Sequence, residues 1–188
     1  ILTVCLLINF GLLFVFKYLG FMNSTVLAIA DKLNLNWPVK AINIILPMGI
    51  SFYTFQATGY TIDVYRNKIK PEKHFGIYAL FVMFFPQLVA GPIERSENLL
   101  PQFYEKHRFD FKRIISGIRI MFWGFFKKIV IADRAAVAVN TIYNSASSYR
   151  GLYLFIATLL FTFQIYCDFS GYSDIAKGSA RVLGFDLM

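Results

Sequence analysis

The sequence predicts an all-α protein built as a polytopic transmembrane helical bundle. Of its 188 residues, 57% are apolar and only 16% are charged, and the mean hydropathy is +0.54. This composition is far from that of a soluble globular domain. Residues 41–62 and residues 75–93 carry no charged side chain, and each stretch is long enough to cross a hydrocarbon layer of about 30 Å as a helix.

Apolar stretches suggest five crossings of the membrane. Their approximate bounds are 1–20, 41–62, 75–93, 111–132 and 151–170. The first stretch is uncharged up to Lys17 and the last halts at Asp168, so both need polar residues to complete their length. A weaker run over 135–149 is rich in small and polar residues. The whole chain, residues 1–188, is expected to form one partial membrane domain.

Prolines interrupt the predicted spans. Pro47 lies early in the second span, and Pro86 and Pro92 lie late in the third. Proline removes a backbone donor, and irregular backbone at membrane depth is tolerated only inside the protein or beside a cavity. Residues 85–93 are therefore predicted to form a wall of a substrate passage.

The net charge is +8, but the basic residues are spread among short loops. This distribution favours anionic lipid headgroups as partners over nucleic acid. The basic residues divide evenly between the two sides of an up-and-down arrangement, so the positive-inside rule does not orient the chain. Lys127, Lys128, Asp133 and Arg134 come after the helical apolar pattern that ends at Phe126. They indicate either a wet boundary or a paired cluster.

The densest polar segment directly follows the last apolar stretch. On a continuing helix, Gln164 and Asp168 would be one turn apart, and so would Ser170 and Asp174. A carboxylate at mid-membrane costs about 2.5–3.5 kcal/mol, so Asp168 is expected to find a partner, water or the interface. These four residues would line a wide polar strip.

The same segment also fits a purely structural interpretation. Asp and Ser are common at helix ends, so residues 167–174 could be the solvated end of a helix with Gly171 as a turn. Arg181 could then pair with Asp174, seven residues earlier on the same face. At the level of spacing, both interpretations stay open.

The histidines and cysteines do not indicate a catalytic or metal site. His74 and His107 have cationic neighbours, which favours exposed positions at the level of the lipid headgroups. Cys5 and Cys167 lie in apolar runs without metal-ligand spacing. The sequence also contains no phosphate-cradling glycine loop, serine-nucleophile elbow or metal-binding histidine pair.

Three long segments carry a resemblance to a known family. They are LPMGISFYTFQ at 46–56 with DVYR at 63–66, FFPQLVAGPI at 84–93, and QIYCDFSGYSDIA at 164–176. In order and separation they resemble the membrane-bound O-acyltransferases of the alginate O-acetylation and teichoic-acid D-alanylation type. The resemblance spans roughly residues 17–188, and three ordered motifs are far more specific than one short pattern.

This resemblance implies an enzyme of the bacterial plasma membrane with a tunnel through a multi-pass core. An acyl group, acetyl in the alginate-like branch, would pass from acetyl-CoA or another thioester donor to hydroxyls of an exported polysaccharide. Membrane lipid and polysaccharide O-acetylation proteins would be its partners, and no bound cofactor is expected. Such chemistry needs a base for the hydroxyl proton and polar groups for the developing oxyanion.

The resemblance also assigns roles to residues. The family's catalytic histidine lies in a Trp-His segment shortly after the motif FSGYSD, and the chain reaches Met188 before any such segment. No catalytic residue is therefore assigned within the chain. The substrate-binding candidates are Gln87, Gln164, Asp168, Ser170 and Asp174.

The ends of the sequence suggest that the chain is a fragment of a larger membrane-bound O-acyltransferase core. Ile1 lies inside an apolar run without an initiating Met, and no polar tail precedes Met188. We expect such a fragment to be inactive by itself. The alternatives are a transporter or flippase, suggested by the broken helices, and a non-catalytic membrane subunit that binds partners.

Overall fold

The computed structural model describes residues 2–33, 47, 49–88 and 91–188, and these contain helices and no β-strand. The predicted all-α class is thus confirmed. The chain divides into two compact units, one comprising Ile1–Met83 with Arg95–Glu97 and the other Phe84–Glu94 with Asn98–Met188.

The first unit is built on three helices. They are α1 (Leu2–Lys32), α2 (Ile50–Tyr65) and α3 (Phe75–Val82). The α2 helix follows Gly49, whose φ of 77° favours glycine. Gln56 of α2 is buried and donates from Nε2 to the carbonyl of Phe81 in α3 at 2.9 Å. The rings of Tyr60 and Tyr78 lie 4.9 Å apart between the same helices.

The second unit contains the remaining helices of the described chain. In order they are α4 (Phe85–Leu88), α5 (Ser96–Gln102), α6 (Phe111–Phe125), α7 (Asp133–Asn144) and α8 (Gly151–Leu183). The first residues of α5 belong to the first unit. A π-helical segment, Phe126–Ala132, joins α6 to α7 without a break. The side chain of Asp110 caps α6 by accepting from the backbone N–H of Lys112 at 2.8 Å.

Four glycines bring α6 and α8 into close antiparallel contact. A Cβ atom added at Gly117 would lie 2.7 Å from the carbonyl oxygen of Gly178, and one added at Gly124 would lie 2.7 Å from that of Gly171. Such close approach of backbones is typical of small residues between membrane helices. The two helices therefore pack through their backbones.

The end of α8 is held by a second group of contacts. Glu94 is 3% exposed and accepts hydrogen bonds from Asn98 Nδ2 at 2.7 Å and from the backbone N–H of Met188 at 2.8 Å. The ring of His107 lies 4.4 Å from that of Phe185. The predicted exposure of His107 is therefore wrong, because this packing half-buries the ring.

Two of the described helices, α1 and α8, are long and apolar enough to cross a membrane. Both extend beyond the predicted bounds of 1–20 and 151–170. Charged and polar residues end an apolar stretch without ending the backbone hydrogen bonds of the helix. The interpretation of Gly171 as a turn is wrong for this reason, since α8 continues through it to Leu183.

The predicted span 75–93 is not one helix. The α3 helix ends at Val82, and the four-residue α4 follows. Pro86 has no backbone N–H to donate to the carbonyl of Val82, so the hydrogen-bond pattern of α3 cannot continue through it. Of the predicted second span, residues 41–46 lie outside the described residues, and α2 occupies the rest from Ile50. The predicted span 111–132 corresponds to α6 and the π-helical segment.

Candidate functional site

The candidate site lies on the polar strip of α8. Because the helix is unbroken, Gln164 and Asp168 lie one turn apart, as do Ser170 and Asp174. The last three residues contact the π-helical segment, which carries two consecutive lysines, Lys127 and Lys128. Together with Asp133 at the start of α7, these residues form a cluster that we call the lysine–aspartate cluster.

Lys127 occupies the more buried half of the cluster. Its Nζ donates to Ser170 Oγ at 2.6 Å and lies 2.5 Å from Asp174 Oδ2. The carbonyl of Ser170 is a third acceptor at 3.4 Å. An ammonium group has three donors, so the hydrogen-bonding capacity of Lys127 is used by α8. The side chains of Lys127 and Asp174 are 12% and 24% exposed, which protects this pair from much of the solvent screening that weakens surface ion pairs.

Lys128 occupies the more open half. Its Nζ lies 2.6 Å from Asp168 Oδ1 and 2.9 Å from Asp133 Oδ1, and it also lies over the ring of Tyr172, 5.4 Å from the centroid. Asp168 is 42% exposed and Asp133 is 51% exposed at their side chains. Three aspartates therefore surround two lysines, and carboxylate oxygens in the open half remain accessible to a polar ligand.

Glycine positions the two halves of the cluster. A Cβ atom at Gly171 would lie 3.2 Å from both the backbone nitrogen and the Cβ of Lys128. The absence of a side chain at Gly171 lets the π-helical segment approach α8 closely enough for these lysines to reach its carboxylates. Single π-helical turns are frequent at functional sites, and here the segment presents two consecutive lysines to one helix.

The remaining two candidates lie outside this network of contacts. Gln164 lies one turn before Asp168, and its Oε1 is buried without a hydrogen-bond partner among the residues that the structure describes. Gln87 in α4 is 3% exposed. A Cβ atom at Gly91 would lie 2.5 Å from the Cα of Gln87 and 3.1 Å from the Cβ of Ala176. Gln87 is thus seated in a tight turn next to the part of α8 that follows Asp174.

One predicted pairing is wrong. Asp174 pairs with Lys127, whereas Arg181 lies 4.0 Å from Asp186. The partner of Asp174 comes from the facing segment, because the glycine contacts bring that backbone close, while Arg181 lies near the chain that turns back after Gly184. Of the predicted paired cluster, the pair of Lys128 with Asp133 is confirmed, whereas Lys127 pairs with Asp174 of α8. Arg134 forms no ion pair in the described part of the chain.

Sequence reasoning missed the contribution of both lysines to the polar strip of α8. The available signal was a pair of lysines directly after an apolar helix, where an unpaired charge would be costly. That signal predicts a partner without identifying it.

The cluster can orient a polar ligand but contains no base of the kind that a histidine supplies. Asp168 can accept hydrogen bonds from a hydroxyl group, and Lys128 can donate to a developing negative charge. Over residues 2–33, 49–88 and 91–188 no three His, Cys, Asp or Glu side chains come together in a way that could hold a metal ion. The contacts of the described residues therefore suit the cluster to positioning a polar ligand and to stabilising charge.

The sequence of the chain matches a known protein family. The model of MBOAT, the membrane-bound O-acyltransferase family, matches residues 73–188. The peptidoglycan O-acetyltransferase of Helicobacter pylori is 35% identical to the chain over 201 residues, covering 92% of the chain and 37% of that protein. A probable alginate O-acetylase of Azotobacter vinelandii is 35% identical over 188 residues, covering 100% of the chain and 37% of that protein.

The name of a less similar relative indicates a different acyl group, D-alanyl. The teichoic acid D-alanyltransferase of Streptococcus thermophilus is 26% identical over 144 residues, covering 73% of the chain and 34% of that protein. The chain thus spans little more than a third of the length of these relatives. The family match covers the candidate site and most of the chain, so the chain belongs to the membrane-bound O-acyltransferase family.

Proposed function

We propose that the chain is part of a multi-pass enzyme of the bacterial plasma membrane that transfers an acyl group to hydroxyls of a cell-envelope polysaccharide. The observation that carries the proposal is the family match over residues 73–188, which includes the lysine–aspartate cluster. The names of the relatives support acetyl or D-alanyl as the acyl group. The higher identity of the acetyl-transferring relatives favours acetyl.

The acyl donor in this proposal is a thioester, acetyl-CoA or another acyl carrier. Polysaccharide O-acetylation proteins act as partners and deliver the group to the exported polymer. The described helices α1 and α8 supply two of the crossings of a larger polytopic bundle. The base that removes the hydroxyl proton is a histidine in a Trp-His segment beyond Met188. Because that histidine is the base, the 188-residue chain is inactive by itself.

Within that enzyme, five residues of the chain bind substrate. Asp168 accepts a hydrogen bond from the hydroxyl group that receives the acyl group or from a neighbouring hydroxyl. Its carboxylate is more exposed than that of Asp174 on the same helix. Ser170 and Asp174 are held on Lys127 and fix the shape of the polar strip. Gln164 lies on α8 itself, one turn before Asp168, with a buried amide oxygen. The buried Gln87 lies next to the stretch of α8 that follows Asp174.

The first test uses the full-length protein. Asp168→Asn keeps the size of the side chain and one acceptor oxygen but removes the charge, and we expect acyl transfer to fall at least tenfold with unchanged expression. Lys112→Gln is the matched control, because Lys112 is exposed on α6 and makes no ion pair in the described part of the chain. Normal transfer by Asp168→Asn would remove this residue from the site.

A charge exchange separates binding from simple stability. Lys127→Asp combined with Asp174→Lys restores an ion pair of reversed direction across the same contact. If Asp174 shapes the substrate site, the double variant recovers thermal stability relative to either single variant but not acyl transfer. Recovery of both would show that the pair is only structural.

Two further measurements test the composition of the enzyme. The reading frame beyond Met188 is expected to encode a Trp-His pair within several tens of residues, and replacing that histidine by alanine should abolish transfer. The chain by itself, inserted in a membrane, is expected to transfer no acetyl group. Detectable transfer by the chain without its continuation would contradict the assignment of the base.

A further inference from the structure

A cavity in the first unit lies outside the candidate site. It has a volume of about 430 Å³ and is lined by residues of α1 and α2 and by the chain that follows α2. Among its lining residues are Leu2, Cys5, Val64, Tyr65, Pro71 and Tyr78. Its volume falls in the range of about 300–1,000 Å³ typical of small-molecule sites, which are mostly apolar. The cavity therefore suits the hydrocarbon part of a ligand.

A cationic segment begins and ends at the wall of this cavity. Tyr65 and Pro71 both line the cavity, and the residues between them include Arg66 and Lys70. Lys73 follows two residues after Pro71. Consecutive Cα atoms are about 3.8 Å apart, so the backbones of Arg66 and Lys70 lie directly next to the cavity wall.

Three of these cations are available to a ligand. Arg66, Lys70 and Lys73 are exposed, and none forms an ion pair with a carboxylate in the part of the chain that the structure describes. Lys68 differs, because its Nζ lies 3.7 Å from Asp63 Oδ1. A single glutamate lies among residues 66–73, against four basic residues, so the segment keeps a net positive charge next to an apolar cavity.

The helix that forms one wall of the cavity is suited to contact lipid. The α1 helix is long and apolar enough to cross a membrane, and large side chains such as Leu7 (68% exposed) and Phe21 (70% exposed) project from it. A ligand for this site must combine a hydrocarbon chain with a negative charge at the level of the basic segment. Basic residues next to a membrane span attract anionic lipids.

We propose that this cavity binds an anionic phospholipid. One acyl chain occupies the space between Cys5, Val64 and Tyr78, and the phosphate of the headgroup lies against Arg66, Lys70 and Lys73. The polar Thr61 and the hydroxyl of Tyr60, which also line the cavity, offer hydrogen-bonding groups for the ester region. Tyr60 Oη already accepts from the backbone N–H of Glu72 at 2.7 Å, which fixes the chain next to Pro71 at the cavity wall.

The test uses the full-length protein, purified in detergent and titrated with phosphatidylglycerol or phosphatidylcholine while bound lipid is counted by native mass spectrometry. We expect at least tenfold tighter binding of phosphatidylglycerol to the unmodified protein. Equal binding of the two lipids would overturn the proposal without the need for any variant.

Variants then locate the headgroup. The triple variant Arg66→Gln, Lys70→Gln, Lys73→Gln should bind phosphatidylglycerol on the order of 100-fold more weakly, since each basic residue near an anionic surface contributes roughly fivefold. The matched control removes three exposed cations elsewhere, Lys112→Gln, Arg119→Gln and Arg150→Gln, and should bind within about twofold of the unmodified protein. An equal loss in both triple variants would mean general attraction by net charge and would overturn the site.

A cavity-filling variant tests the position of the acyl chain. Cys5→Trp fills the cavity, whereas Leu7→Trp adds the same bulk at an exposed position of α1. We expect loss of phosphatidylglycerol binding only in Cys5→Trp. If Cys5→Trp binds normally, the cavity is not the site. If Cys5→Trp loses binding while the triple glutamine variant keeps it, the cavity holds the acyl chain but the three cations do not recognise the headgroup, and the proposal of a site for an anionic lipid is wrong.

Discussion

Replacing Gly178 by alanine tests the contact on which the candidate site depends. The added Cβ atom would lie 2.6 Å from the carbonyl oxygen of Gly117 and 2.8 Å from the backbone nitrogen of Met121. Ordinary contacts of this kind begin at 3.4 Å, and both of these partners are backbone atoms that cannot rotate away. The helices α6 and α8 would therefore have to separate by a large fraction of an ångström.

The expected cost follows from two opposing terms. Overpacking a well-packed contact costs about 1–3 kcal/mol, and two backbone clashes place this case in the upper part of that range. Alanine gains about 0.5–1 kcal/mol over glycine inside a helix. We expect a net loss of about 2 kcal/mol in the free energy of unfolding for Gly178→Ala.

Gly59→Ala is the matched control. Gly59 lies inside α2, and nothing lies within 4 Å of a Cβ atom placed there. This control should be stabilised by about 0.5–1 kcal/mol through the helix-propensity term. The thermal unfolding midpoints of the full-length variants are measured in the same detergent. Relative to the unmodified protein, we expect a lower midpoint for Gly178→Ala and a higher one for Gly59→Ala.

Acyl transfer gives a second readout of the same contact. Separation of α6 from α8 moves Lys127 away from Asp174, so transfer by Gly178→Ala should fall at temperatures below its unfolding midpoint. A variant Gly178→Ala that is as stable as Gly59→Ala would refute the close approach of the two helices. It would also remove the physical basis for the arrangement of the lysine–aspartate cluster.

Three other predictions concern single contacts of the second unit. Lys127→Met leaves Asp174 without its ion pair and should lower the free energy of unfolding by about 2–3 kcal/mol. The exposed control Lys112→Met should change it by less than about 0.5 kcal/mol. Equal unfolding midpoints of the two variants would contradict this prediction. Glu94→Gln has one acceptor oxygen in place of two and should speed amide hydrogen exchange at Met188 about tenfold, which unchanged exchange would disprove. Asp110→Ala removes the cap of α6 and should cost about 0.5–2 kcal/mol, while Asp110→Asn should keep most of the stability if capping is the cause.

The candidate site shows how far spacing along a helix can be taken. The separations within residues 164–174 correctly placed Ser170 and Asp174 one turn apart on a continuing helix. The same spacing offered Arg181 as a partner for Asp174, but the cation that binds it is Lys127. A helical repeat constrains neighbours on the same helix, whereas ion pairs between helices depend on which surfaces meet.

Gly171 illustrates a related limit. As an isolated residue it favours a turn as readily as a helix interior, because glycine is a poor helix former. In the structure its missing side chain is what allows α8 to lie against Gly124 and Lys128. The packing of the two helices, and not the propensity of the residue, decides that the helix continues.

The sequence by itself determined the helical class, the apolar character and the family, and it predicted irregular backbone over residues 85–93, after the point where α3 ends. These properties follow from composition, from backbone chemistry at proline and from ordered motifs, all of which are local or additive along the chain. Only the tertiary structure decided the bounds of α1 and α8, the pairing of Lys127 with Asp174 and the cavity next to Tyr65. The ion pair and the cavity depend on contacts between segments distant in sequence, which form when glycine and apolar surfaces of different helices come together. The helix bounds depend on backbone hydrogen bonds, which continue past the end of an apolar stretch.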